Sequence, residues 1–287
     1  MIKDMSWTIL AFGSVIFFSA LNLLQRILAV DSKHPRAMAI LFNVIAALIA
    51  LLIFGLTGSF RNFALPSAPK AWVVLLIACF CYGMFERGRF AAAKLLDAST
   101  LATVANIGVL VAFISALFLY SEPLTARKLL GGLLITGALF LVSFNKMAEK
   151  SSKKGMIVAV TISVMLGLGW ALDKLGVQFF NPSTYSVFVW TIPVIFIYFP
   201  RVKFEVIKAE LKLVSWKVFV LAGLNVAGYL MQLKALETAE ATRVIPIVQT
   251  STLVTILMGI VLLKEKEHIS RKIVAGLMAM SGAYFLI

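Results

Sequence analysis

The sequence is poor in charged residues: only 14% of its 287 positions are Asp, Glu, Lys or Arg. Soluble domains carry about a quarter, because their surfaces face water. Hydrophobic residues make up 61% of the chain instead. This composition argues against an ordinary soluble protein and indicates an integral membrane protein, whose apolar side chains face lipid.

Residue types that commonly catalyse reactions or bind metals are scarce as well. Histidine occurs only at His34 and His268, and the four aspartates are widely scattered. The chain contains neither an H-E-x-x-H zinc motif nor a G-x-x-x-x-G-K-[ST] phosphate loop. Cys79 and Cys81 are two apart in an apolar run and point in different directions on a helix, so we interpret them as packing residues. We therefore expect that the chain binds no metal or cofactor, does not hydrolyse ATP and is not an enzyme. A membrane enzyme is the main alternative class.

The net charge is +14, with 27 Lys and Arg against 13 Asp and Glu. The basic residues lie in short connectors and form no stripe interleaved with aromatics, so we expect no nucleic-acid partner. Seventeen lie in connectors on one predicted side of the membrane and eight on the side of the termini. The positive-inside rule then weakly favours termini that face outward.

Ten apolar stretches of about the length that crosses a bilayer follow one another along the chain. The first is too long for a signal-peptide core and predicts a retained helix. Pro193 interrupts the seventh, and the alternating segment 201–214 that follows it predicts an interfacial stretch. The predicted spans are 6–28, 36–58, 71–93, 98–120, 128–145, 155–176, 183–199, 214–236, 241–263 and 270–287.

The two halves of the chain share a pattern. A shift of 143 positions places Asn106 on Gln249 and Glu122 on Glu265, and a shift of 144 places the basic pair 127–128 on 271–272. Five spans per half is an odd number, so the halves must be inverted relative to each other. The predicted fold is an all-α polytopic membrane protein of ten transmembrane helices in two inverted five-helix repeats, residues 1–147 and 148–287. Such repeats are typical of transporters, with the site at their interface.

The repeated motifs also resemble a known family. In the second half they are Lys234-Ala235-Leu236-Glu237, Ala241, Arg243-Val244-Ile245-Pro246-Ile247, Leu262-Leu263-Lys264-Glu265 and Gly276; in the first half they are Ala93-Lys94-Leu95, Ala98, Leu119-Tyr120-Ser121-Glu122, Gly132 and Gly137. With these motifs the chain resembles an EamA-type transporter of the drug/metabolite transporter superfamily.

The resemblance implies a secondary transporter of the cell (inner) membrane. Its substrate would be a small metabolite, such as an amino acid or a drug-like solute, with export favoured. It also implies a central cavity lined by the first four spans of each half, with spans five and ten peripheral. The chain departs from the family pattern in span four, where Asn106 and Gly108 occupy the region in which a proline is often found.

Three charged residues lie inside span three and are candidates for substrate binding, because ionisable groups are costly in a membrane. Glu86 and Arg89 share a helix face and can pair. Arg87 points elsewhere and is shaped to bind a carboxylate or phosphate, or to reach the headgroups. Glu86 either couples transport to protons or forms a structural pair with Arg89. An exchanged solute is the alternative to a coupling proton.

The remaining substrate-binding candidates are polar or aromatic: Asn22, Asn106, Trp170, Tyr185, Trp190, Tyr229, Gln232 and Gln249. The amides line a cavity or join helices by hydrogen bonds. The aromatic rings stack on a ring-bearing substrate or only pack. We interpret Asp173 and Lys174, which do not face each other on a helix, as structural anchors, with Asp173 in need of another partner.

Several alternatives remain open at this point. Gly132 and Gly137, like Gly276 and Gly282, predict close helix packing, either at a homodimer face or where spans five and ten seal onto the core. Glu122 is interpreted as the anchor of a turn. A flippase for a lipid-linked substrate and a non-transporting membrane protein are the alternative functions.

Overall fold

The computed structural model describes residues 6–27, 32–96, 104–143, 153–262 and 269–287, which are helical apart from short connectors. No strand occurs within these ranges. A short 3-10 helix, Ser59–Asn62, follows α2. The α-helices are α1 (Trp7–Ile27), α2 (Pro35–Leu56), α3 (Pro69–Leu95), α4 (Ile107–Tyr120), α5 (Ala126–Ser143), α6 (Lys153–Phe179), α7 (Pro182–Thr191), α8 (Pro193–Tyr198), α9 (Phe204–Leu211), α10 (Trp216–Thr238), α11 (Ala241–Gln249), α12 (Ser251–Leu262) and α13 (Ile269–Leu286).

These helices make the chain a multi-pass membrane protein. Among the described residues, α1, α2, α3, α6 and α10 are each long and apolar enough to cross a bilayer. Large apolar side chains such as Leu56, Phe118 and Tyr284 are mostly exposed, with relative accessibilities of 79%, 83% and 79%. Each of the ten predicted spans overlaps one helix or two consecutive helices. The all-helical fold is confirmed, whereas the number of ten spans stays a prediction.

Three spans are interrupted. The seventh is divided into α7 and α8 at Pro193, as its sequence predicts, because proline lacks the N–H that would continue the helix. The fourth turns at Asn106 with φ −65° and ψ −16°, and the ninth turns at Thr250 with φ −63° and ψ −13°. These last two turns lie 144 positions apart, which is one more than the shift of 143 that places Asn106 on Gln249.

Helices from the two halves interleave. Helix α1 packs on α10, α3 packs on α6, and α4 packs on both α6 and α11. Helix α5 lies against α13. The two helices approach so closely at Gly131 and Gly282 that a Cβ on either residue would lie 2.8 Å from the other residue's carbonyl oxygen. Of the glycines predicted to pack closely, Gly282 lies at this contact, whereas a Cβ on Gly276 would meet its nearest atom at 3.6 Å, an ordinary contact. The core lies between the halves.

Two hydrogen bonds join α9 to the residues that directly precede α2. The buried carboxyl group of Glu210 accepts hydrogen bonds from the backbone N–H groups of Lys33 and His34, at 2.8 and 2.6 Å. This helix is the short element that the segment 201–214 forms. Its predicted place at the membrane interface stays a prediction.

Candidate functional site

A cavity of about 380 Å³ lies between the two halves. It is large enough for a small-molecule ligand, for which sites of about 300 to 1,000 Å³ are usual. Side chains of α1, α2 and α3 and residues around the turn at Asn106 line it from the first half. Side chains of α6, α7, α10, α11 and α12 line it from the second half. These elements belong to the first four predicted spans of each half, as the family resemblance implies.

In the first half, the cavity-lining residues of α1, α2 and α3 include ones nearer the α1–α2 and α3–α4 connectors than the α2–α3 connector. Asn22 and Glu86 approach it from the last turns of α1 and α3, whereas Asn43 approaches from the first half of α2. We name the side that carries the α1–α2, α3–α4 and α8–α10 connectors the cavity side. The opposite side, with the α2–α3, α4–α5 and α10–α11 connectors, is named the closed side.

Aromatic rings form much of the cavity wall. Tyr229 contacts Tyr82 and Trp190 edge to face, with ring centroids 6.2 and 5.8 Å apart and interplanar angles of 84° and 81°. Trp170 and Phe85 also line the cavity. Edge-to-face contacts hold rings in fixed orientations. The wall is therefore preorganised to receive a flat, apolar group.

A buried carboxyl group lies behind this wall. Asp173 is fully buried and accepts hydrogen bonds from the hydroxyl groups of Tyr82 at 2.6 Å, Tyr229 at 2.8 Å and Tyr185 at 3.2 Å. An ionised carboxylate is only an acceptor, and three donors replace the water that burial removes. Tyr82 belongs to the first half and the other three residues to the second. The cluster therefore joins the halves directly beneath the cavity.

Two glycines explain how the tyrosines reach Asp173. Gly169 and Gly176 precede and follow Asp173 by four and three residues, so all three lie on one face of α6. A Cβ at Gly169 would lie 3.0 Å from ring atoms of Tyr82, and a Cβ at Gly176 would overlap the ring of Tyr185. The absence of side chains at these positions gives the rings the space that they occupy.

Polar contacts between the halves fill the closed side. The carboxylate of Glu122 accepts hydrogen bonds from the backbone N–H groups of Ala241 at 2.8 Å and Thr242 at 3.1 Å, and from the Thr242 hydroxyl. It therefore caps the N-terminus of α11, where a negative charge is favourable. Lys128, buried to 2% exposure, forms an ion pair of 2.7 Å with Glu240. The interpretation of Glu122 as the anchor of a turn is confirmed, but it anchors a turn of the other half.

Lys174 of α6 also forms hydrogen bonds on the closed side. Its ammonium group donates to the carbonyl oxygens of Leu236 at 2.6 Å and Ala239 at 2.8 Å, at the C-terminus of α10. A cation is favourable there because the last carbonyl groups of a helix lack partners within it. Nearby, the hydroxyl of Tyr120 donates to the carbonyl oxygen of Ala171. Asp173 thus binds tyrosines of the cavity wall, and the adjacent Lys174 binds the end of α10 on the closed side.

Seven of the predicted site residues meet at the cavity: Asn22, Glu86, Asn106, Trp170, Trp190, Tyr229 and Gln249. Two others lie away from it within the described fold. Tyr185 is fully buried against Asp173, and the guanidinium of Arg87 donates to the carbonyl oxygen of Phe199 at 2.6 Å. That these residues bind a substrate stays a prediction.

The last two predicted site residues are Gln232 and Arg89. Gln232 is 1% exposed in α10, and its amide has no hydrogen-bond partner among the described residues. The side chain of Arg89 lies outside the part of the chain that the structure describes, so its pairing with Glu86 is not tested. Glu265 lies outside the described residues as well.

Other cavity residues were not singled out from the sequence, namely Phe18, Asn43, Tyr82, Phe85, Asn225, Ser251 and Thr252. Helical spacing contained a signal for two of them. Tyr82 lies four residues before Glu86, and Asn225 lies four before Tyr229, so each shares a face with a predicted residue. Asn43 is a lone amide in the apolar helix α2, which marks it as unusual for a membrane span. Within the described ranges, no group of three or more His, Cys, Asp or Glu side chains is arranged to hold a metal.

Comparison with known proteins adds a family and a fold. The sequence profile of the EamA-like transporter family matches the chain twice, over residues 5–144 and 153–287. A solved structure titled "Crystal structure of protein" is similar to 97% of this chain and 95% of its own, with a TM-score of 0.74 and 15% sequence identity. At that identity the similarity concerns the fold alone. No curated protein is significantly similar to the chain.

Proposed function

Because the chain belongs to the EamA-like transporter family, whose members move small solutes across membranes, we propose that it is a secondary transporter that works by alternating access. The observation that carries this proposal is the cavity, which both halves line and which inter-half polar contacts close on one side. Transporters built from two repeats bind their substrates at such an interface.

The two turns at Asn106 and Thr250 support inverted repeats of five spans each, divided near residue 147. They have nearly equal backbone angles, Thr250 lies one residue after the position equivalent to Asn106, and residues at both turns line the cavity. Interrupted helices at the binding site are a feature of inverted-repeat transporters. In a pseudo-symmetric pair, exchanging the conformations of the halves moves the opening from one side of the membrane to the other.

The charge distribution favours one orientation, and the family resemblance favours export. The cavity side carries seventeen Lys and Arg residues in its predicted connectors against eight on the closed side. By the positive-inside rule the cavity side is cytoplasmic, in the cell (inner) membrane. In this conformation a cytoplasmic solute reaches the cavity while the closed side seals the exterior. The driving force is an ion gradient or an exchanged solute, with Glu86 as the candidate to carry a coupled proton.

Sided labelling of cysteines tests the proposal. Cys79 and Cys81 are both buried and are first replaced by alanine. Asn225→Cys then places a thiol in the cavity, and Thr125→Cys places a control thiol in the exposed α4–α5 connector of the closed side. We expect a membrane-impermeant maleimide to label Asn225→Cys from the cytoplasmic side and Thr125→Cys from the exterior.

Flux measurements complete the test. Sealed proteoliposomes are assayed with radiolabelled amino acids, nucleobases and aromatic amines, and at least one solute should cross faster than in protein-free vesicles. Modification of Asn225→Cys should block that flux, whereas modification of Thr125→Cys should not. A folded protein that moves none of these solutes, yet transfers a lipid-linked probe between leaflets, would support the flippase alternative and overturn the proposal.

A further inference from the structure

Two arginine side chains meet at the end of α8. Arg36 donates through Nε to the carbonyl oxygen of Ile197 at 2.7 Å and through Nη2 to that of Pro200 at 2.6 Å. Arg87 donates through Nη1 to the carbonyl oxygen of Phe199 at 2.6 Å. Because the three carbonyl groups belong to residues 197–200, the two guanidinium groups lie close enough to repel each other. We name these two side chains the arginine pair.

No described carboxylate balances the charge of the arginine pair. Neither Arg36 nor Arg87 forms an ion pair with an acid in the part of the chain that the structure describes, and the carbonyl groups that they contact are neutral. Glu86, next to Arg87 in the sequence, lines the cavity instead. A guanidinium group has five N–H donors, and both side chains are partly exposed. Donors therefore remain for an anion that approaches from outside the fold.

Arg87 lies at the end of an apolar stripe that faces lipid. Residues 73, 77, 80 and 87 follow one another at intervals of four, three and seven positions, so they share one face of α3. Phe80 contacts Phe196 of α8 edge to face, with ring centroids 5.4 Å apart, so the stripe continues onto α8. The exposed apolar side chains of this surface are Val73, Ile77, Phe80, Ile195 and Phe199. The arginine pair is therefore located where a lipid-facing apolar surface ends.

The ends of two helices place the arginine pair near the headgroups. Arg36 is the second residue of α2, and α8 ends at Tyr198, directly before two of the residues whose carbonyl groups the pair binds. A basic side chain at the end of a span extends to the polar layer while its apolar surroundings stay in the hydrocarbon. Reaching the headgroups is one of the two roles that the sequence left open for Arg87.

The adjacent helix α9 has the character of an interfacial helix. Phe204, Lys208 and Leu211 lie at intervals of four and three positions, share one face of α9 and are exposed. On another face, Ile207 packs against the apolar cluster that contains Ile197. A helix that exposes apolar and basic side chains in this way lies in the plane of the headgroups. Helix α9 and the arginine pair therefore belong to the same layer.

The surroundings of the arginine pair are basic. In the described segments 32–36 and 199–213, the exposed Lys and Arg residues are Lys33, Arg201, Lys203, Lys208 and Lys212. The acids of the same segments are Glu205, which is exposed, and Glu210, whose buried carboxyl group accepts from backbone N–H groups. A ligand with a net negative charge is therefore favoured over a zwitterion, whose cationic group would approach these basic side chains.

We propose that the arginine pair binds the phosphate of an anionic phospholipid, such as phosphatidylglycerol, in the leaflet on the cavity side. Guanidinium groups match the geometry of phosphate oxygens, and the bound charge relieves the repulsion between Arg36 and Arg87. The acyl chains of the lipid lie along the exposed apolar surface of α3 and α8. This site is separate from the cavity, and it does not depend on the proposed transport function.

Native mass spectrometry of the purified, delipidated full chain in neutral detergent tests the proposal. The probes are dioleoylphosphatidylglycerol and zwitterionic dioleoylphosphatidylcholine, which have the same acyl chains. We expect the anionic lipid to bind about tenfold or more tightly, because each basic residue at an anionic headgroup contributes about fivefold. An excess of inorganic phosphate should displace little of the bound lipid, since it lacks the acyl chains. Complete displacement by inorganic phosphate would assign the site to a free anion and overturn the proposal.

Two double variants locate the effect. Arg36→Gln with Arg87→Gln should reduce the preference for the anionic lipid to about threefold or less and leave the affinity for the zwitterionic lipid within about threefold. Arg61→Gln with Arg127→Gln removes the same charge from exposed arginines on the closed side and should keep the tenfold preference. Equal affinity of the wild type for the two lipids, or an unchanged preference in the first double variant, would overturn the proposal.

A third double variant covers the case in which the first one does not fold. Lys203→Gln with Lys208→Gln changes only exposed side chains beside the arginine pair, so its fold is not at risk. We expect it to lower the preference for the anionic lipid about threefold, because these lysines contribute to the same local charge. A preference as large as that of the wild type would place the lipid elsewhere and overturn the proposal.

Discussion

Replacing Asp173 with alanine should destabilise the protein more than any other single substitution in the cavity wall. The carboxyl group is fully buried and is the shared acceptor for three tyrosine hydroxyl groups that come from α3, α7 and α10. Its removal leaves these hydroxyl groups without their acceptor in an apolar region. A buried donor that loses its acceptor costs more than the hydrogen bond itself contributed.

The magnitude follows from the number and length of the hydrogen bonds. Interhelical hydrogen bonds in membranes contribute about 0.6 kcal/mol on average and up to about 1.7 kcal/mol. Three such bonds, with the two shorter ones near the upper value, give a loss of about 2 to 5 kcal/mol for Asp173→Ala. Asp173→Asn retains an acceptor oxygen and nearly the same volume, so we expect a loss of about 1 to 2 kcal/mol.

The two cysteines provide the assay. Cys79 and Cys81 are the only thiols of the chain and are 0% and 3% exposed, so a thiol-reactive fluorophore reports unfolding in detergent during heating. The melting temperatures should decrease in the order wild type, Asp173→Asn, Asp173→Ala. Tyr185→Phe, which removes the longest of the three bonds at 3.2 Å, is the matched mild variant. If Asp173→Ala melts within a degree or two of the wild type, the cluster does not join the halves and the reasoning is wrong.

Three further predictions concern other parts of the structure. Glu122→Gln should weaken the closed side by about 1 kcal/mol, because it removes the charge that caps α11, and labelling of Asn225→Cys from the exterior should rise about fivefold. Gly282→Ala should lower the melting temperature, since the added Cβ would lie 2.8 Å from a carbonyl oxygen of α5. Arg87→Ala should lower stability by about 1 kcal/mol, as measured by melting, because it removes the hydrogen bond to the carbonyl oxygen of Phe199.

The first two of these variants each have a control in the chain. Glu205→Gln removes an exposed acid outside the closed side and should not change labelling. Gly223→Ala adds a Cβ that meets no atom within 4 Å, so it should not destabilise α10. Unchanged labelling in Glu122→Gln, equal melting of the two glycine variants, or wild-type melting of Arg87→Ala would each contradict the corresponding argument.

The helices could be predicted from the sequence because apolar runs and proline determine the position and interruption of a helix through local effects. Interruption of the seventh span at Pro193 followed from the chemistry of that one residue. The candidate site was partly predictable for the same reason: a polar residue inside a span is costly against lipid, and Asn22, Asn106 and Gln249 lie at the cavity.

The importance of Asp173 was not predictable in this way. The sequence showed an acid near the end of a span and the need for a partner, but its partners lie 91, 12 and 56 positions away. Only the packing of α3, α7 and α10 around α6 brings them together. Arg87 was misleading for a related reason, since its partner is a backbone carbonyl group, and a carbonyl group is present at every position of the chain.

The adjacency of Asp173 and Lys174 gives a physical basis for coupling between the site and the closed side. Asp173 holds two tyrosines of the cavity wall, and Lys174 holds the end of α10 at the closed side. A ligand changes a conformational equilibrium only by binding one state more tightly than the other. The rings of Tyr82 and Tyr229, which line the cavity, are held in place by Asp173. On the proposed transport function, a movement of α6 that releases Lys174 from α10 also moves Asp173, so we expect ligand binding at the cavity and opening of the closed side to change together.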